Sequence, residues 1–167
     1  MTADERHKRF ERWVGEYGAM VSRIASTYEA RPALAEELVQ ESFMGLWRAL
    51  PNFRQEASAK TFVARIAHNV CISHVRKAVK AKSGPLDEKM RDEGLRPDEL
   101  AEKSSERRAL LEAVRALPLQ NRQIVSLHLE GFSHREIGDA LGISEGNIAV
   151  RLTRARAQLK AAIGGRK

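Results

Sequence analysis

Apolar residues recur three and four positions apart along most of the chain, and no stretch keeps the two-residue alternation of a half-buried strand. Phe10, Trp13, Val14, Tyr17, Met20, Val21, Ile24 and Tyr28 predict a first helix, opened by Thr2 and Glu5 at capping-box spacing and weakened by Gly15 and Gly18. Pro32 suits the first turn of a second helix, in which Leu34, Leu38, Phe43, Met44, Leu46, Trp47 and Leu50 dominate before Pro51 stops it. Asn52 to Ala59 reads as a loop. From Lys60 a third helix turns Phe62, Val63, Ile66, Ala67, Val70 and Val75 inwards.

The second half repeats the helical rhythm in shorter pieces. Leu110, Leu111, Val114 and Leu117 form one stripe, ended by Pro118, and Arg122 to Glu130 carries Ile124, Val125, Leu127 and Leu129. Gly131 closes that helix. Ser133 and Glu136 again have capping-box spacing, Ile137, Ala140 and Leu141 form an inner face, Gly142 ends the run, and Ser144 caps a last helix. Between the halves, "AKSGPLDEKMRDEGLRPDELAEKSSE" holds Gly84, Pro85, Gly94 and Pro97 but few large apolar residues. Such a segment buries too little surface to repay its ordering entropy and reads as a flexible linker. The expectation is an all-α chain: two small helical domains, residues 1–80 and 106–167, joined by an acidic linker at 81–105.

The last helix has an unusual exterior. Wound at about 100° per residue from Asn147, Ile148, Leu152, Ala155 and Leu159 fall together on an apolar stripe. Ala149, Val150, Thr153, Arg154 and Ala157 lie opposite, with Arg151 towards one side and Arg156 towards the other. A short helix, a glycine turn and a second helix with a small, narrow exterior is helix-turn-helix spacing, in which the second helix enters the major groove and the first crosses the backbone. Ser133, His134 and Arg135, at the head of the first helix, are then candidates for the backbone, as are Arg151 and Arg156. Asn147, Ala149, Val150 and Thr153 approach base edges, and Arg154 suits bidentate contact with a guanine. The bland reading is a solvated helix in a helical hairpin.

Charge supports an anionic partner. The 167 residues carry a formal charge of +7, with 13 Lys and Arg against 9 Asp and Glu in 1–80, 5 against 7 in 81–105, and 11 against 6 in 106–167. Two basic lobes flank an acidic joint. Between Glu56 and Asp87 there is no carboxylate, while Lys60, Arg65, Arg76, Lys77, Lys80 and Lys82 fall there with His68 and His74. A helix so one-sided in sign repels itself unless an anion is near, so phosphate binding is the economical reading and a solvated face the plain one. Asn69 and the loop residues Asn52, Phe53 and Arg54 offer stacking and edge contacts to unpaired bases. Glu36, Glu37 and Glu41, with Gln40 beside them, give the second helix an acidic patch. That patch suits a protein partner, or simply the positive end of its own helix.

Cys71, the only cysteine, excludes an intramolecular disulfide framework and reads as a small semi-buried apolar residue. The charged N-terminus lacks a signal-peptide pattern, and no run approaches a membrane span, so a cytoplasmic protein with no membrane segment of its own is expected. There is no phosphate-binding glycine loop, no Cys/His ligand spacing and no nucleophile–base arrangement, so neither a metal, a cofactor nor a catalytic residue is expected.

With these residues laid out, the chain resembles the extracytoplasmic-function sigma factors, the smallest group of the sigma-70 family. "AEELVQESFMGLW" is similar to the family's A-E-D-L-V-Q-E-x-F-x-x-x-W helix, and "KTFVARIAHNVCISHVRK" to its R-T-W-L-x-R-I-A-R-N-x-x-x-D-x-x-R-K helix. "LPLQNRQIVSLHLEGFSHREIGDALGISEGNIAVRLTRARAQL" follows the family's promoter-reading helix-turn-helix. The resemblance covers about residues 8 to 80 and 106 to 160. It implies that Glu37, Leu38, Gln40, Glu41, Phe43 and Trp47 dock on the clamp helices of RNA polymerase. Lys60, Arg65, His68, Asn69, Arg76 and Lys77, with the loop from Asn52 to Ala57, would engage and help melt the minus-ten element. The helix from Asn147 to Arg156 would read the minus-thirty-five element, and an anti-sigma factor is implied as a further partner. Phe62, His68 and Ser73 stand where the family has Trp, Arg and Asp, which implies altered detail in strand separation. Asn147, Ala149 and Val150 also depart, so a relative's promoter sequence does not transfer.

A different class of protein, a stand-alone helix-turn-helix repressor or activator with the first lobe as sensor or dimerisation domain, competes with this. It needs neither an acidic docking helix nor a second, carboxylate-free basic site. An enzyme acting on nucleic acid lacks a catalytic constellation.

Overall fold

The computed structural model describes residues 1–82 and 102–164, so most of the expected linker, residues 83–101, lies outside the described residues. Within them the chain forms seven α-helices and one 3₁₀ turn, and no strand.

α1 (Ala3–Ser26) opens as its sequence predicts. The Thr2 hydroxyl accepts from the Glu5 N–H at 3.2 Å, and the Glu5 carboxylate accepts from the Thr2 N–H at 2.9 Å. α2 (Pro32–Ala49) has Pro32 in its first turn and runs into a 3₁₀ turn, Leu50–Asn52, rather than stopping abruptly at Pro51. Pro51 has no N–H to give the Trp47 carbonyl, which would be left orphaned. Arg6 of α1 fills the vacancy, donating to Trp47 O through Nε and Nη2 while its guanidinium lies 4.1 Å from the Trp47 ring centroid. One side chain thus ties the first helix to the end of the second.

α3 (Ala59–Lys82) starts at Ser58, whose Oγ accepts from the Thr61 N–H at 3.1 Å. The three helices pack mutually around Trp13, Met20, Ile24, Leu38, Leu46, Leu50, Val63 and Ala67. Each fully buried large aliphatic among these contributes about 1.5–3 kcal/mol. Cys71 is fully buried, deeper than expected, and burial pushes its thiol up to about 12.

The connection between α1 and α2 is held by Glu29. Its carboxylate takes the Arg31 Nε at 2.6 Å and lies 3.2 Å from the His74 Nε2 of α3. Burial alone would raise its pKa, but the hydrogen bonds from Arg31 and His74 outweigh it and hold the carboxyl below its ordinary value of 4.5. A depressed folded pKa means stability that is present above the unfolded value and lost as pH falls through the folded one. Glu29→Gln is therefore expected to cost about 1–2 kcal/mol at pH 7 in urea unfolding, as for a charged hydrogen bond. The difference from the natural chain should shrink as the pH is lowered below the ordinary carboxylate range.

The second domain begins earlier than its apolar stripe suggested: α4 is Glu102–Arg115, α5 Leu119–Leu129, α6 His134–Leu141 and α7 Glu145–Gly164. α5 starts directly after Pro118 rather than at Arg122, and its last residue, Leu129, is exposed rather than inward. Val114, Ile124, Leu127, Ile137, Ile148 and Leu152 fill the core. Between α6 and α7 the backbone turns at Gly142 (φ 71°), whose N–H donates to Gly138 O at 2.8 Å, followed by the Ile143 N–H at 3.1 Å. A Cβ on Gly138 would sit 2.5 Å from the Ile143 carbonyl oxygen, so this glycine sets how closely the turn folds back on α6.

The domains touch. α3 packs against α5 and α6, and the Thr27 Oγ1 and Ser126 Oγ, both buried, lie 3.0 Å apart across the boundary. Arg115 Nε donates to Ser26 O at 2.9 Å, at the C-terminal end of α1, where free carbonyls favour a cation.

Candidate nucleic-acid interface

Ser133 and Ser144 prepare the helix-turn-helix. The Ser133 and Glu136 capping box is complete (3.1 and 2.9 Å), and Ser144 Oγ accepts from the Asn147 N–H at 3.3 Å. α7 then buries Ile148, Leu152 and Ala155 and leaves Asn147, Val150, Thr153, Arg154 and Arg156 exposed, with Ala149 and Arg151 half-buried beside them. Thr153 Oγ1 donates back to Ala149 O at 3.0 Å, and Arg151 Nε to Asn147 Oδ1 at 3.2 Å. Arg154 is exposed on the same outward side. Ser133 and Arg135 are exposed and His134 half-buried at the head of α6.

Arg156 makes a contact that sequence spacing did not suggest. Its Nη2 lies 2.9 Å from His128 Nε2 of α5, which requires a neutral imidazole acting as acceptor. Burial, then Arg156, then His134 lower the His128 pKa and keep it in that form. The guanidinium is thereby held to one side of α7.

The basic residues of the first domain divide. Asn69, Arg76 and Lys77 are exposed on α3, as are Asn52 at the end of the 3₁₀ turn and Arg54 on the loop that follows it. His68 is not. It was expected on the basic face, but at four residues after Ala64 and three before Cys71 it falls on the buried stripe and is 2% exposed. Its Nδ1 lies 2.7 Å from the Tyr28 hydroxyl, its Nε2 has no hydrogen-bond partner, and burial drives its pKa down to about 3. Phe53 is half-buried, packed in a cluster with Trp13 and Phe62 at centroid distances of 5.0 and 4.9 Å. Lys60 and Arg65 reach across to the second domain, Lys60 Nζ to Glu130 O at 2.9 Å and Arg65 Nη2 to Asp139 O at 3.0 Å. Gln55 in the same loop holds φ at 61°, a left-handed conformation that residue type did not advertise.

The acidic patch on α2 is a ridge. Glu37, Gln40 and Glu41 are exposed, and Met44, one of the apolar residues that dominate the helix, is 55% exposed among them. Winding at about 100° per residue puts Met44 within about 20° of Glu37, which was the available signal. Leu38, expected on the docking surface, is 3% exposed and belongs to the core; Phe43 and Trp47 are half-buried on the flank.

Among the described residues no three His, Cys, Asp or Glu side chains are placed to hold a metal ion, and no helix is long and apolar enough to cross a membrane. A basic three-helix domain with an acidic ridge is thus coupled to a helix-turn-helix whose second helix exposes a low outward face. The chain matches the model of Sigma-70 region 2 over residues 5–81 and that of Sigma-70, region 4 over residues 107–159. It belongs to the sigma-70 family, in its extracytoplasmic-function group.

It is 31% identical over 146 residues to a probable RNA polymerase sigma factor, RfaY, of Xanthomonas campestris pv. campestris, covering 84% of this chain and 36% of that protein. It is 24% identical to the extracytoplasmic-function RNA polymerase sigma factor SigM of Mycobacterium tuberculosis, covering 96% of this chain and 76% of the other. The chain thus spans about a third of the first relative's length and three quarters of the second's. The fold matches the sigma factor RpoE of Bartonella quintana, solved with the anti-sigma factor NepR, at a TM-score of 0.76 and 22% identity over 96% of this chain and 99% of that one.

Proposed function

We propose that this chain is a dissociable transcription-initiation subunit, which directs core RNA polymerase to specific promoters and is held in check by an anti-sigma factor. One observation carries it: a bare helix-turn-helix reading face and a separate acidic ridge occur in one chain, on different domains. A stand-alone repressor has use for the first and none for the second. Membership of the sigma-70 family supports the same reading, as does a fold shared with a sigma factor solved with its anti-sigma factor.

In this reading residues 1–80 form the domain that meets polymerase and the minus-ten element, 81–105 the joint, and 106–167 the domain that reads the minus-thirty-five element. Glu37, Gln40, Glu41 and the exposed Met44 form the polymerase surface, an apolar centre within a charged rim. Asn147, Ala149, Val150, Thr153 and Arg154 read duplex bases, and Arg151, Arg156 and the head of α6 hold phosphates. Asn52, Arg54, Asn69, Arg76 and Lys77 take the unpaired strand, with Lys60 and Arg65 once they are released from the second domain. The chain performs no covalent step and acts where RNA polymerase acts, in the cytoplasm.

Run-off transcription with core enzyme over a promoter library tests the proposal. Promoter-specific transcripts that require the chain are expected. Tight binding of an operator by the chain alone, with no association with core enzyme, would sink it.

A further inference from the structure

The two turn-linked helices start alike and differ at their third residue. In α6 that residue is Glu136, whose carboxylate returns to the Ser133 N–H at 2.9 Å and completes the cap. In α7 it is Asn147, whose N–H donates to Ser144 Oγ at 3.3 Å but whose side chain turns the other way. Arg151, one turn on, donates from Nε to Asn147 Oδ1 at 3.2 Å.

A guanidinium only donates, so this contact fixes which way the Asn147 amide is turned. The oxygen faces Arg151, and the NH2 group on the other fork carries no hydrogen bond to another described residue. Arg151 keeps the N–H groups of its two Nη atoms for a phosphate beside the groove. One side chain thus both anchors the helix and holds its neighbour's amide. Asn147 is exposed at the N-terminal end of α7, and in a helix-turn-helix that end of the second helix meets base edges.

The orientation of the amide decides which base it suits. An unrestrained Asn takes adenine in a bidentate contact, accepting from N6 and donating to N7. An Asn whose oxygen is committed to an arginine presents donors alone, and these match O6 and N7 of guanine or O4 of thymine. Cytosine, which shows only its N4 amino group in the major groove, offers them no acceptor.

We propose that Asn147 is a specificity-determining residue of the minus-thirty-five contact, and that Arg151, as its positioning residue, makes it a reader of guanine or thymine instead of adenine. This rests on the reading of α7 as the promoter-reading helix. The base pair concerned is the one at which Asn147→Ala flattens the preference.

Equilibrium binding of the full chain to a library of duplexes tests it. At that pair the natural chain should favour guanine or thymine over adenine by about tenfold, within the range of one good bidentate contact. Arg151→Met keeps the aliphatic stem and removes the donors. It should weaken binding to every duplex through the lost phosphate contact, and at this one pair shift the preference towards adenine by about tenfold. Arg156→Ala is the control, because it should weaken binding to every duplex without moving that preference. A natural chain that favours adenine or cytosine there overturns the proposal. So does an Arg151→Met preference that is unchanged or moved away from adenine, or an equal shift from Arg156→Ala. If Asn147→Ala flattens no pair while Arg154→Ala flattens one, α7 reads bases and only the part given to Asn147 has failed. A natural chain with no base preference at any pair removes the reading of α7 itself.

Discussion

A Glu37→Lys, Glu41→Lys double variant is expected to lose promoter-directed transcription with core RNA polymerase by about a hundredfold or more, and to lose association with core enzyme in parallel. Both carboxylates are exposed on the α2 ridge, so reversing them leaves the fold within a few tenths of a kcal/mol of the natural chain. Their cost falls on docking, where like charges facing each other across an interface cost several kcal/mol. Binding of a minus-thirty-five duplex, which the opposite end of the chain performs in this reading, should persist. Unchanged transcription would show that the acidic residues merely serve the positive end of their own helix. Leu38 provides the contrast, because it sits at 3% exposure in the core and its truncation would register as lost stability.

Arg154→Ala should cost about 1–3 kcal/mol at one base pair of the promoter and flatten the preference there, since the side chain is exposed on the outward face next to the small residues. Arg156→Ala should instead weaken binding to all duplexes alike and reduce the slope of log affinity against log salt by about one. The geometry separates them: Arg156 is drawn to the side by His128 at 2.9 Å, whereas Arg154 is exposed beside Val150 on the outward face. Binding across a duplex library at several salt concentrations checks both. A uniform loss from Arg154→Ala, with altered preference from Arg156→Ala, would exchange their roles.

Helix positions, both capping boxes and the turn at Gly142 were legible because they depend on residues a few positions apart. The exposed face of α7 was legible for the same reason. His68 was misplaced because the cations around it outweighed its periodicity, and Leu38 because the family resemblance carried it to the docking surface; both lie on the stripes that Ala64 and Cys71, or Ser42 and Leu46, define. Phe53 required knowing that Trp13 and Phe62 would converge on it from two other elements. The contacts of Glu130 with Arg23 and Lys60 join residues 107 and 70 positions apart, and no local rule connects such positions. The early start of α4 was hidden because its first turns, Glu102 to Arg108, carry polar residues with no apolar stripe to mark them.

Cys71 adds a consequence for how this protein hears its surroundings. Its thiol is the only one in the chain, is sealed among α3's buried residues, and is held in the protonated form far above neutral pH. Oxidants and soft metals attack the thiolate, and at this site there is almost none to attack. Oxidation of the thiol and its ligation to a soft metal therefore find almost no thiolate to start from at this position.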